Sequence, residues 1–186
     1  MKKFKLIVGV IMAVLMIAVC FAGCGEDKEK TDMEYVKSNR KLVVGITDFA
    51  PMDYKDENGK WIGFDADMAT AFAKSLGVEV EFVIIDWDNK AFELESKAID
   101  CVWNGMTITD EVKAAMDCSN AYCNNSQIVI VPSKDADKYQ TVESVKDLTF
   151  AVEAGSAGKK AVEALKYEFV EVTAQADALM EVKAGT

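Results

Sequence analysis

A parallel α/β fold is predicted by three features of this 186-residue chain. Short runs rich in valine and isoleucine alternate with helical stretches whose apolar residues recur at three- and four-residue spacing. The connections between them are short, as in strand-helix-strand units of a parallel sheet. The polar residues cluster where strands end, which is where open α/β folds hold small molecules.

The amino-terminal region stands apart from that pattern. Lys2, Lys3 and Lys5 precede an uncharged stretch from Leu6 to Gly23, and Cys24 follows. A cationic start and an apolar run of this length form an export signal, for which the competing reading is an uncleaved membrane anchor. Residues 1–23 are therefore read as a signal peptide and residues 24–40 as a tether, with GEDKEKT as a charged spacer. A short helix is expected over Asp32 to Asn39.

Lys41 to Thr47 (KLVVGIT) is the first core strand, and a loop through Asp48, Phe49 and Pro51 follows it. Asn58-Gly59 marks a hairpin tip. Met68, Ala69, Phe72, Ala73 and Leu76 give a helix that Gly77 ends, with Asp65 expected at its N-cap. Asp65 and Asp67 could be taken as paired catalytic carboxylates, but capping and the helix dipole account for both. Val78 to Ile85 is the second strand and delivers Asp86 and Trp87 to the same edge as Asp48 and Phe49. A helix over Phe92 to Lys97 leads to a third strand, Ile99 to Trp103. That strand empties into Asn104, Gly105 and Thr107 before Thr109 caps another helix with Asp110 and Glu111 in its first turn. Loops after parallel strands share one edge, so Phe49, Trp87 and Thr107 are expected to converge.

Beyond it, Gln127 to Val131 is expected to be a strand, Lys134 to Tyr139 a loop-like crossing, and Val142 to Asp147 a short helix. Leu148 to Glu153 is a strand ending in Ala154-Gly155-Ser156-Ala157-Gly158, which opens a helix over Lys159 to Leu165 whose free amides suit an anion. Lys166 to Val172 and Ala174 to Lys183 supply a further strand and helix.

Composition removes several functions. With 21 basic and 31 acidic residues, the formal charge of −10 repels nucleic acid. The chain has no histidine, which excludes serine-histidine and cysteine-histidine catalysis, and no zinc-ligand spacing is present. Cys101, Cys118 and Cys123 are an odd set and are expected to be free thiols, although Cys118 and Cys123 are close enough in sequence to pair.

LVVGITDFAPMDY, GFDADMA at Gly63 to Ala69, IDWDN, VWNGMTITDE, DCSNAYCNNSQIVIV and VEAGSAG occur in the order found in the family-3 solute-binding proteins of ABC transporters, and the chain resembles that family from Lys41 to Thr186. The resemblance implies the type II periplasmic-binding-protein-like α/β fold, with lobe one at 41–131 and a partial lobe two at 132–186. Phe21-Ala22-Gly23-Cys24 resembles a bacterial lipobox, which implies a lipid on Cys24 and a place on the outer face of the cytoplasmic membrane. By the same resemblance, Phe49 and Trp87 are walls for the ligand side chain, against the alternative of plain core packing. Asp48, Asn104, Gly105 and Thr107 are first-lobe contacts, and Ser156 and Ala157 offer second-lobe amides to a carboxylate. No catalytic residue, cofactor or metal is implied.

The implied partners are an amino acid or related small polar solute and a membrane permease, with the protein a monomer. A sensor ectodomain and a dehydratase-like enzyme, with Glu153 or Asp48 as general acid or base, are the alternatives. Two departures from the family stand out. Val112 occupies the position of an arginine that grips the ligand carboxylate, and the adjacent Lys113 is turned by about 100° around the helix. Family members also continue for several dozen residues, so the chain reads as a truncated member, expected to be poorly soluble and to bind ligand weakly when isolated.

Overall fold

The computed structural model describes residues 30–186, and Asp32–Thr186 forms one compact unit. The expected signal peptide, the lipidation site at Cys24 and most of the tether lie outside the described residues. Among those described, no helix is long and apolar enough to cross a membrane.

Helix α1 (Asp32–Asn39) leads into β1 (Lys41–Ile46), followed by the hairpin β2 (Tyr54–Lys55) and β3 (Trp61–Ile62). Next come α2 (Phe64–Ser75), β4 (Glu79–Ile84), a 3-10 turn over Trp87–Asn89, α3 (Lys90–Glu95), β5 (Cys101–Val102) and α4 (Asp110–Ala115). Two 3-10 turns, Ser133–Lys138 and Glu143–Val145, precede β6 (Phe150–Glu153), α5 (Ala157–Leu165), β7 (Phe169–Val172) and α6 (Gln175–Ala184).

The first sheet has the order β4-β1-β5 and is parallel throughout, with Lys41 opposite Glu79 and Ile46 opposite Ile84. Val44 and Ile46 of its central strand are fully buried, as the β-branched run requires. They pack with Val36, Leu42, Ala69 and Ala73, and with Trp61, Phe82 and Trp103 around them. Cys101 lies against this core, and burial pushes its thiol up to about 12, which leaves it inert. All three mature cysteines of the folded part are free thiols. β6 and β7 form a second, parallel pair with Phe150 opposite Phe169.

Four expectations change. Asp65 does not cap α2: Gly63 holds that position, and the first amides of the helix are satisfied by the preceding loop. Phe64 N–H donates to the Pro51 carbonyl at 3.1 Å, and Asp65 N–H to the Met52 carbonyl at 3.0 Å. Gln127–Val131 forms no strand; Ile128 is 77% exposed, and no ladder pairs the run among the described residues. Of Ile99 to Trp103, only Cys101 and Val102 join the sheet, while Ile99 is buried beside it. The segment expected as a loop at Lys134 to Tyr139 is largely a 3-10 turn.

Candidate functional site

The carboxyl ends of β1, β4 and β5 lie on one edge of the first sheet, so the loops that leave them are neighbours. Their positions are fixed by backbone bonds that extend the ladder: Ile85 N–H donates to the Ile46 carbonyl at 3.0 Å and Trp103 N–H to the Gly45 carbonyl at 3.1 Å. One residue further, side chains take over. Asn104 accepts from Thr47 N–H at 3.0 Å and donates to Thr47 Oγ1 at 2.6 Å, both inside the protein. The Asn104 side chain thus ties β5 to β1.

Gly105 follows with φ +59°, and a Cβ there would meet the Phe49 ring at 3.1 Å. Phe49 is half-buried and its main chain pairs with Asp53 in both directions, at 2.7 and 3.0 Å. Thr107 Oγ1 accepts from Asn125 Nδ2 at 2.7 Å. Thr109 Oγ1 accepts from Val112 N–H at 3.2 Å, which makes it the N-cap of α4 as its sequence position requires. Asp48 is exposed at the rim.

Trp87 is buried at 7% exposure and makes no ring contact with Phe49. Its partner is Lys90, whose Nζ lies 4.8 Å from the ring centre and donates to the Trp87 carbonyl at 2.9 Å. The same ammonium donates to the Gly155 carbonyl at 3.2 Å, in the turn that leaves β6. Gly155 has φ +65°, and the space its Cβ would need is filled by Asp88, with the nearest atom at 2.5 Å. Ser156 is buried and caps α5 by accepting from Lys159 N–H at 3.0 Å; Ala157 opens the helix, half-buried. Lys160 pairs with Glu111 of α4, and Gln127 Oε1 lies against Gly158. The strand ends of the two sheets therefore meet along a seam, with Trp87, Asp88, Lys90 and Glu111 on one side and Gly155 to Lys160 on the other.

Three carboxyls are buried, Asp53 and Asp65 within the first lobe and Glu153 beside Lys90. Asp53 is wholly buried with no partner for either oxygen, and burial, then the neighbouring Asp65, push it up to about 7. Asp65 is also raised by burial, against a hydrogen bond from Tyr122 Oη at 2.9 Å that favours its charged form. Tyr122 in turn is raised by its own burial and by Asp65. Glu153 is pushed up to about 7 by burial, opposed by a bond from Gln175 N–H and by Lys90. Lys90 itself is lowered by burial, opposed by Asp88.

Lys90 and Tyr122 are the residues that sequence reasoning did not place here. Lys90 directly follows the Trp87-Asp88-Asn89 turn, which is the one signal that could have pointed to it. Asp65 has the residue type of an N-cap but lies buried and hydrogen-bonded to Tyr122.

Residues 42–184 match the family model for bacterial extracellular solute-binding proteins, family 3. The chain belongs to that family. Among its relatives is the arginine-binding extracellular protein ArtP of Bacillus subtilis, 30% identical over 160 residues that cover 83% of this chain and 60% of ArtP. Cyclohexadienyl dehydratase of Pseudomonas aeruginosa is 25% identical over 162 residues, covering 86% of this chain and 59% of the dehydratase. An amino acid ABC transporter substrate-binding protein from Streptococcus pneumoniae, solved with L-arginine bound, superposes with a TM-score of 0.79 at 31% identity, covering 84% of this chain and 68% of that one. The chain thus covers between 38% and 66% of the length of such curated relatives. The α/β architecture is the type II periplasmic-binding fold, and most of these relatives are amino-acid-binding proteins rather than enzymes.

Proposed function

We propose that this protein is the binding component of an ABC importer, which captures an amino acid between lobe one (41–131) and lobe two (132–186) and delivers it to a membrane permease. Residues 1–23 direct export, and a lipid on Cys24 tethers the domain to the outer face of the cytoplasmic membrane. The observation that carries the reading is the seam, where the strand ends of two parallel sheets face each other through Asp88, Lys90 and Gly155. Loops at the carboxyl ends of parallel strands are where such sheets bind small molecules, and contacts to both lobes are what drive hinge closure. Phe49 and Trp87 wall the ligand side chain, Asp48, Asn104, Gly105 and Thr107 supply polar contacts, and the amides of Ser156 and Ala157 hold its carboxylate. The domain acts as a monomer and performs no chemistry.

Calorimetric titration of the full-length mature protein with the common amino acids tests this. One-site binding to at least one of them is expected, together with an upward shift of the thermal midpoint. Absence of heat and of any midpoint shift across the whole set, from protein shown to be folded, refutes it. A dehydratase-like activity is the second reading, favoured by Glu153, pushed up to about 7 beside the seam, and by the dehydratase relative. Consumption of a cyclohexadienyl substrate by the purified protein would decide for that reading.

A further inference from the structure

The seam already holds a cation. The Trp87 ring face and the carbonyls of Trp87 and Gly155 form the kind of surface that recognises an ammonium, and Lys90 Nζ fills it. Asp88 and Glu153 lend it favourable charge. Asp53 and Asp65 face each other in the interior, Glu153 faces Lys90, and Asp88 faces both Lys90 and Lys159. Lys90 is half-buried, so its ammonium does not swing freely into water. Its placement is reinforced across the seam, because Asp88 fills the space beside Gly155 and Lys160 pairs with Glu111.

We propose that Lys90 is the built-in occupant of a cation subsite on Trp87, and that it thereby sets the ligand class of the cleft. Uncharged or acidic amino acids are admitted, and those with a positively charged side chain are excluded. This rests on the amino-acid-binding reading given above. A guanidinium or ammonium reaching for the Trp87 face meets a like charge tethered three residues away along the chain, which no dissolved ligand can outcompete by concentration alone. A carboxylate or carboxamide meets a hydrogen-bond donor at the same place.

The test is titration of the full-length mature protein, wild type and Lys90→Met, with L-arginine, L-lysine, L-glutamine and L-glutamate. Methionine keeps the apolar stem over Trp87 and removes the charge. Wild type is expected to prefer glutamine or glutamate to arginine by tenfold or more, and Lys90→Met to shift that ratio at least tenfold toward arginine. A wild-type preference for arginine or lysine, or an unchanged ratio in the variant, overturns the proposal. If neither protein binds any of the four, the amino-acid reading is decided by the full set of common amino acids, and the subsite is judged on ligand-free protein. There, reductive methylation with carbon-13 formaldehyde labels every lysine, and the Lys90 signal is assigned by its loss in Lys90→Met. That signal is expected upfield of the exposed lysines through the Trp87 ring current and to return among them in Trp87→Leu. A Lys90 signal among the exposed lysines in wild type overturns the proposal.

Discussion

Asp53→Asn is expected to remove the share that Asp53 contributes to the pH dependence of the wild-type fold. Asp53 is fully buried, neither of its carboxyl oxygens has a partner, and Asp65 lies close enough to repel its charge. Its native pKa is raised from 3.8 to about 7, so the folded state keeps the proton that the unfolded chain releases near 3.8. Between those values the native state binds more protons than the unfolded one, and stability falls as pH rises; the loss saturates above the native value. The slope is about 1.4 kcal/mol per pH unit at most, which gives a loss of about 2 to 3 kcal/mol between pH 5 and pH 8 as a ceiling. Glu153 acts in the same direction, so the wild-type curve alone does not isolate Asp53. The difference between the variant and wild type does, because Glu153 is common to both. Urea denaturation at pH 5 and pH 8 reads it: Asp53→Asn should gain about 2 kcal/mol on wild type in going from the lower pH to the higher. An equal effect at both pH values would show that the carboxyl is ionised throughout, and the argument from burial would fail.

Other expectations follow from single contacts. Gly63→Ala should lower stability by about 2 to 4 kcal/mol in the same assay, because Gly63 has φ +122° and a Cβ there would lie 2.3 Å from the Met52 carbonyl oxygen. A loss under half a kcal/mol, well below that estimate of about 2, would mean the loop yields at no cost. Val112→Arg should tighten binding of α-amino acids by about tenfold or more in calorimetry, through a charge-assisted bidentate contact on α4, while leaving decarboxylated amines unaffected. Equal effects on acids and amines would place the carboxylate elsewhere. Ile128→Lys should reduce concentration-dependent light scattering, since Ile128, Val129 and Ile130 form an exposed β-branched run and a charge blocks strand addition. Unchanged scattering would locate self-association in another surface.

The fold was legible where local pattern and tertiary need coincide. KLVVGIT reads as a strand and becomes the central strand of the first sheet, with β4 and β5 on either side to complete its ladder. Thr109 reads as an N-cap and is one, because the partner amide is three residues away. Gln127–Val131 has equal strand propensity and remains irregular, since a strand exists only with a neighbour to share its ladder. Instead Ile130 and Pro132 line a groove with Leu179 and Val182 of α6. Asp65 has the residue type of an N-cap at the right place in the chain. It is displaced because the carbonyls of Pro51 and Met52 reach the same amides first.

The site divides along the same line. That Phe49, Trp87 and Asn104 leave neighbouring strand ends follows from parallel topology, which needs only the order of the elements. What those residues touch does not follow. Asn104 and Thr47, and Tyr122 and Asp65, are each 57 residues apart, and Lys90 and Gly155 are 65 apart. No periodicity couples such positions. Lys90 shows the consequence: by charge and spacing it is one more surface lysine at the start of a short helix, and a lysine there is ordinarily solvated. Only the carbonyl of Gly155, turned toward it across the seam by a left-handed glycine, converts that lysine from a solvated group into one that bears on what the cleft can bind.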